Sequence, residues 1–327
     1  MITKLGLDQT RFIIRLKGVN AKTLYEANGM DAQIYLAVRE HIISCTQDWI
    51  KGATHWDSSK GPLSNSQFPL DGGSTLYVAL GWSTQAKRHF ITLQFNCSKL
   101  TPMAAIELVG TFDCMFNGGY ADFFDRAECN YIELPLDVTG ACMTDYLFFD
   151  SRLKSYNANY EANGTLYLGS DTSSRWWKIY DKGKQIADTG GPVFHGHWLR
   201  IEPCLNMNIP TSALTSLHSP YDTLCIMHKK KLMDIKHSIP VRAFRDRIFE
   251  HGLQPQAAYL KCVSKKELLE HLKSATPSWY DPTVLWETFP TVIQRVMPMG
   301  IQALADSTPY STSVISAATT QNEVLCS

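Results

Sequence analysis

The apolar and polar positions of the chain follow two periods, and one gives way to the other late in the sequence. An apolar run at residues 11–16 (RFIIRL) reads as a first strand, and Asp31 to Gly52 carries apolar side chains at helical spacing. Between Gly52 and Gly73 the residues Ser, Gly, Pro and Asp accumulate, which predicts a long loop. Two β-rich runs follow, Ser74 to Trp82 and His89 to Cys97, and the polar turn between them predicts an antiparallel hairpin. Thr101-Pro102 has the form of a helix start, with Thr at the N-cap and Pro at the first position. Met103, Ile106, Leu108, Val109, Phe112 and Met115 carry that helix onward. Further strands are expected at 126–134, 165–169, 176–181 and 197–205.

From Val241 onward the period changes from 2 to 3.6. Ser264 and Glu267 have capping-box spacing ahead of Leu268, Leu269 and Leu272, and another helix is expected from Pro282 to Met297. The tail after Asp306 is rich in Ser and Thr and weakly patterned. The pattern therefore predicts an α+β fold: an antiparallel-sheet body with helices packed on it over 1–240, a small helical unit over 241–305 and a flexible tail over 306–327. No internal repeat is visible.

Composition narrows the class. The chain has 327 residues, 44% of them apolar, with 31 basic and 31 acidic side chains, the make-up of a globular protein able to bury a core without staples. No apolar run approaches the roughly 18 residues that a membrane span needs. Met1 to Gly6 lacks the apolar core of a signal peptide, so a cytoplasmic protein with no membrane partner is expected. The nine cysteines are odd in number, scattered and without a C-x-x-C pair, which reads as reduced thiols.

The zero net charge hides an uneven distribution. Residues 1–150 carry 12 basic and 16 acidic side chains, 151–247 carry 14 and 8, and 248–327 carry 5 and 7, or −4, +6 and −2. Within the basic segment Arg175, Trp176, Trp177, Lys178, Tyr180, Lys182 and Lys184 lie close together. Rings interleaved with cations suit single-stranded nucleic acid, whose bases stack and whose phosphates pair. On a regular strand Trp176, Lys178, Tyr180 and Lys182 share one face, and Trp177 turns to the other and into the core. The same alternation groups Trp198, Arg200 and Glu202, and, on another strand, Arg126, Glu128 and Asn130. Three strands are thus expected to bring Tyr180, Glu202 and Glu128 together, and the two carboxylates suit Mg²⁺ or Mn²⁺.

The stretch YLGSDTSSRWWKIYDKG (167–183), followed by WLRIE (198–202), resembles the Rep_trans group of rolling-circle replication initiators. That group has a Y-x-G-S-x-x-S-x-x-x-R-I-Y-D-K strand and then a W-x-R-x-E strand. A more remote similarity is to the initiators of filamentous phages. The likeness is specific over roughly 126–205, looser over 74–117, and absent from the first 70 residues and after 240. It implies an antiparallel-sheet nuclease body and an endonuclease and strand transferase that nicks one origin strand. Tyr180 is then the nucleophile, with Lys178 and Lys182 favouring its phenolate, and Glu202 and Glu128 are the metal ligands. The usual Arg-x-Asp reads Arg126-Ala127-Glu128 here, and Asp171 stands where the family has a cation.

His195 and His197 are a secondary metal pair. Arg175, Trp176, Trp198, Arg200, Arg126, Lys184, Lys229, Lys230 and Lys231 are the expected DNA contacts, and Tyr167 and Tyr160 are fallback nucleophiles. The expected partner is single-stranded or cruciform origin DNA of a phage or plasmid in a bacterial host, with a helicase, a polymerase or a second copy as further partners. A conjugative relaxase of the same chemistry and a non-catalytic single-stranded-DNA-binding protein are the alternatives.

Overall fold

The computed structural model describes residues 1–16, 33–40, 54–56, 64–83, 88–150, 152, 158–160, 164–234 and 274–307. The fold is mixed α+β, built on antiparallel strands. The expected boundary at residue 240, the capping box at 264–267 and most of the tail lie outside the described residues. The chain divides into two compact units whose segments interleave: unit 1 takes 1–6, 133–206 and 218–289, and unit 2 takes 7–132, 207–217 and 290–327.

In unit 2 the strands β2 (Gln9–Arg15), β3 (Thr54–Trp56), β4 (Ser64–Leu70), β5 (Ser74–Ser83), β6 (Arg88–Asn96) and β7 (Glu128–Glu133) pair in the order β7-β2-β6-β5-β4-β3. The expected hairpin is β5-β6, with Leu76 opposite Phe95 and Leu80 opposite Ile91. The expected loop before Gly73 instead contains β3 and β4. Its Ser and Pro content hides a period of two, because Ser66, Phe68 and Leu70 turn inward while Gln67 and Pro69 turn outward. Helix 33–40 (α1) is the described part of the helix expected over 31–52. Helix α2 (Pro102–Met115) begins where the sequence places it, and Thr101 Oγ1 accepts the Ala104 amide at 3.1 Å. It buries Leu108 and Phe112, and α3 (Gly119–Arg126) buries Tyr120, Phe123 and Phe124. Gly119, at φ 59°, makes the turn between them in a backbone region that favours glycine. Phe112, Phe123, Phe12 and Phe95 form the aromatic core of this unit, with Phe12 and Phe123 edge to face at 5.8 Å. The helix expected from Pro282 to Met297 is broken into 282–286, which belongs to unit 1, and 289–293, where Pro290 has no N–H to continue the ladder; a further helix of unit 2 runs from Pro298 to Asp306.

In unit 1 the strands β1 (Ile2–Leu5), β8 (Leu136–Thr139), β10 (Ala158–Tyr160), β11 (Leu166–Leu168), β12 (Arg175–Asp181) and β13 (Trp198–Pro210) pair in the order β10-β11-β12-β13-β8-β1. Strands β9 (Tyr146–Asp150) and β14 (Leu224–His228) form a separate antiparallel pair. One face of β12 and β13 is core: Trp177, Ile179, Leu199 and Ile201 are fully buried. Trp177 donates its indole N–H to Asp150 of β9 at 2.9 Å, and its ring meets that of Tyr221. The other face carries the charged side chains.

Candidate functional site

Strands β12 and β13 pair with Lys178 opposite Glu202 and Tyr180 opposite Arg200. Side chains on one face of adjacent strands lie about 5 Å apart, so this register brings all four together. The Tyr180 hydroxyl donates to Glu202 Oε2 at 3.1 Å. Lys178 Nζ donates to Glu202 Oε1 at 2.7 Å and to Glu133 Oε1 at 2.6 Å. Both carboxylates are buried. Cys204, next on the same face of β13, stands 4.0 Å from Glu202 Oε1.

Glu133, Glu202 and Cys204 offer ligand atoms within 4.8 Å of one another and could hold a metal ion. The carboxylate pair fits a hard divalent cation, and the thiol adds a softer donor. The same pair is bridged by the Lys178 ammonium, so a metal ion and this lysine would draw on the same oxygens. Burial lowers the proton affinity of Lys178, but Glu202 and Glu133 outweigh it and hold the ammonium well above its ordinary pKa.

The phenol of Tyr180 is raised above its ordinary pKa, first by burial and then by the Glu202 charge; Arg200 acts the other way. The two lysines expected to favour its phenolate both have partners of their own. Lys178 is taken by the carboxylates, and Lys182, at the start of helix α4 (Lys182–Asp188), bonds Gln185 at 2.7 Å with its ammonium 5.9 Å from the Tyr180 ring centroid. Strand gives way to helix right after Tyr180, because Asp181 caps α4 through the Lys184 amide at 3.0 Å. Tyr180, Asp181, Lys184, Gln185 and Thr165 line a cavity of about 230 Å³ at this junction.

The remaining candidates do not gather here. Glu128 lies in unit 2 and pairs with Arg15, and Glu133 takes its place in the cluster. His195 and His197 are exposed and outside the three-ligand cluster found among the described residues. Arg175 is buried and bound to the Pro220 carbonyl and the Thr223 hydroxyl, and burial pulls its pKa down to about 10 against the nearby Asp150. Arg200 is held by Asp137 and Arg126 by Asp122, so these three arginines are tied within the protein. Trp176 is half-buried, its ring 6.0 Å from Tyr167 and 5.1 Å from the Lys178 ammonium. Trp198 gives its indole N–H to Asp137. Lys184 and Lys230 are exposed; Lys229 and Lys231 reach the carbonyls of Thr144 and Thr276. Tyr160 lies on β10, at the far edge of the sheet.

Three site residues escaped the sequence pattern. Glu133 is five positions beyond Glu128, which puts it on the opposite face of a regular strand. A bulge at Asn130, where Arg11 pairs with Tyr131 but Phe12 with Cys129, shifts the alternation by one and reverses that assignment. Cys204 follows Trp198, Arg200 and Glu202 at period two and was legible from that rule. Asp137 sits on a four-residue strand too short to show a period. No protein-family model matches the chain, and no curated protein matches it.

Proposed function

We propose that the chain is a DNA-nicking and strand-transfer enzyme that initiates rolling-circle replication of a phage or plasmid, with Tyr180 as the nucleophile. The observation that carries this reading is the hydrogen bond from the Tyr180 hydroxyl to Glu202, beside a second buried carboxylate and at a cavity lined by Lys184. A nucleophile within hydrogen-bond reach of a base is the arrangement that phosphodiester transesterification needs. The Arg-Trp-Trp-Lys-Ile-Tyr-Asp-Lys strand and its resemblance to rolling-circle initiators support single-stranded origin DNA as the substrate.

With its pKa raised, Tyr180 enters the reaction as a phenol. Glu202 takes the proton as the phenol oxygen attacks phosphorus, leaving a 5′-phosphotyrosyl link and a free 3′-OH that primes synthesis. Glu133 and Glu202 would hold Mg²⁺ or Mn²⁺ in competition with the Lys178 ammonium, and the ion would supply positive charge near the scissile phosphate. Lys184 faces the cavity beside Tyr180 and serves the same phosphate electrostatically. Retention of the phosphodiester energy in the covalent link lets a later transfer reseal the circle.

The test is a covalent adduct between the full chain and a randomised pool of single-stranded oligonucleotides in the presence of Mn²⁺. Adduct is expected from the native chain and none from Tyr180→Phe, with the DNA-linked peptide containing Tyr180. Undiminished adduct in Tyr180→Phe overturns the assignment. One observation favours a second reading, a non-catalytic single-stranded-DNA-binding protein: Lys178 already neutralises the two carboxylates. Retained binding with no adduct from any sequence in the pool decides for it.

A further inference from the structure

Tyr180, Arg200 and Asp137 stand opposite one another on three neighbouring strands, β12, β13 and β8. Arg200 sends Nε to Asp137 Oδ1 and Nη2 to Oδ2, both at 2.7 Å. This two-pronged contact fixes the plane of a guanidinium as a single bond does not. The Trp198 indole N–H reaches Asp137 Oδ1 at 2.9 Å, so the carboxylate is itself held from a second side. Arg200 is buried and also hydrogen-bonds the Tyr180 side chain. The Tyr180 hydroxyl therefore gives its proton to one neighbour, Glu202, and meets a fixed cation at the other.

We propose that Arg200, oriented by Asp137, stabilises the charge that develops on the Tyr180 oxygen as its proton passes to Glu202, and that Asp137 is the positioning residue of this device. The proposal rests on the nicking reading above. In the step, the Tyr180 oxygen–phosphorus bond forms while the bond from phosphorus to O3′ breaks. The electron pair goes to O3′, and the proton held by Glu202 is returned to it. Charge grows on the phenol oxygen before the new bond is complete, and a cation already in place acts there without reorganisation. Arg200 thus serves the nucleophile, and its role differs from that of a surface arginine gripping the DNA backbone, which sets affinity and its salt dependence.

The experiment compares the native chain with Asp137→Asn, Arg200→Lys and Trp198→Phe. The readout is the rate of adduct formation over a range of concentrations of the oligonucleotide recovered from the randomised pool. Asp137→Asn and Arg200→Lys are expected to lower the limiting rate roughly 10- to 100-fold while the half-saturating concentration stays within about twofold. Trp198→Phe removes one hold on Asp137 but keeps the Asp137–Arg200 fork, and should lower the limiting rate less than Asp137→Asn does. A raised half-saturating concentration at an unchanged limiting rate in Asp137→Asn makes Arg200 a DNA contact and overturns the proposal. A second measurement uses no DNA: acetylation of Tyr180 by N-acetylimidazole, followed by peptide mass. It should slow in Asp137→Asn and in Arg200→Lys. Equal or faster acetylation overturns the proposal, while slowed acetylation in a chain that forms no adduct keeps the device and removes the nicking reading.

Discussion

The two units share a plan, six strands paired antiparallel with one face in a core, to which unit 1 adds the β9–β14 pair, and differ in where they keep their charges. Unit 2 is held by apolar packing around Phe12, Phe95, Phe112 and Phe123, and its ion pairs lie toward solvent: Arg15 and Glu128 are 24% and 36% exposed. Unit 1 encloses its pairs. The contrast lies in the carboxylates: Glu133, Glu202 and Asp150 are 8%, 4% and 1% exposed, while Lys178 itself is 23% exposed. Buried pairs add little net stability compared with apolar side chains of the same volume, because desolvation offsets their attraction. Perturbed, water-excluded ionisable groups are, however, what chemistry uses. On the reading proposed above, the enclosed carboxylates put the chemistry in unit 1.

The sharpest way to break the comparison is to remove one charge from the buried set. Lys178→Met leaves two buried carboxylates facing each other, and about 3–5 kcal/mol of stability should be lost in urea unfolding. Adding Glu133→Gln and Glu202→Gln to the same chain should recover much of that loss, since no unpaired charge then remains. Phe112→Ala in unit 2 should cost a similar amount, roughly 3–5 kcal/mol, through an empty space that no change of charge repairs. An unchanged unfolding midpoint in Lys178→Met removes the distinction between the units.

Acid should separate them next. Burial lowers the pKa of His89 in unit 2 below its ordinary 6.5, so the unfolded chain binds that proton first. The contribution is whole above pH 6.5 and falls as pH drops through that value toward the folded one. In unit 1, burial pushes the Asp150 carboxyl up, but the Trp177 hydrogen bond, the Arg152 amide and Arg175 outweigh it and hold the pKa below 3.8. Its contribution is present above 3.8 and is lost as pH falls toward the folded value. Amide exchange should therefore open β5 and β6 at milder acidity than β12 and β13. The reverse order, or simultaneous opening, contradicts this assignment. The smallest effect is expected from Arg15→Ala, within about 1 kcal/mol in the same urea assay, because its pair with Glu128 is partly solvated.

Much of this was legible in the sequence where local chemistry decides structure. The Thr101 cap, the β5-β6 hairpin and the shared face of Lys178 and Tyr180 follow from residue type and period alone. Asymmetry of charge was legible too, but its meaning was not. The basic excess of the middle segment is answered by Glu133, Asp137 and Asp150, which belong to the acidic first 150 residues and reach it only through long-range strand pairing. Arg175 and Arg200 read as a footprint for DNA because sequence gives no sign of a partner that lies 25 or 63 positions away. Glu133 was hidden by a single inserted residue in β7, a change that no periodic rule can see.

Strand β1 has a consequence for the order of assembly. It pairs with β8, Leu5 opposite Leu136, so on the ribosome it emerges about 130 residues ahead of its partner. At roughly 5–20 residues per second, it waits on the order of ten seconds with its backbone donors and acceptors unpaired. Strands β12 and β13 emerge later still, so β1 and β8 are both on hand to pair before the strands that carry Tyr180 and Glu202 are made.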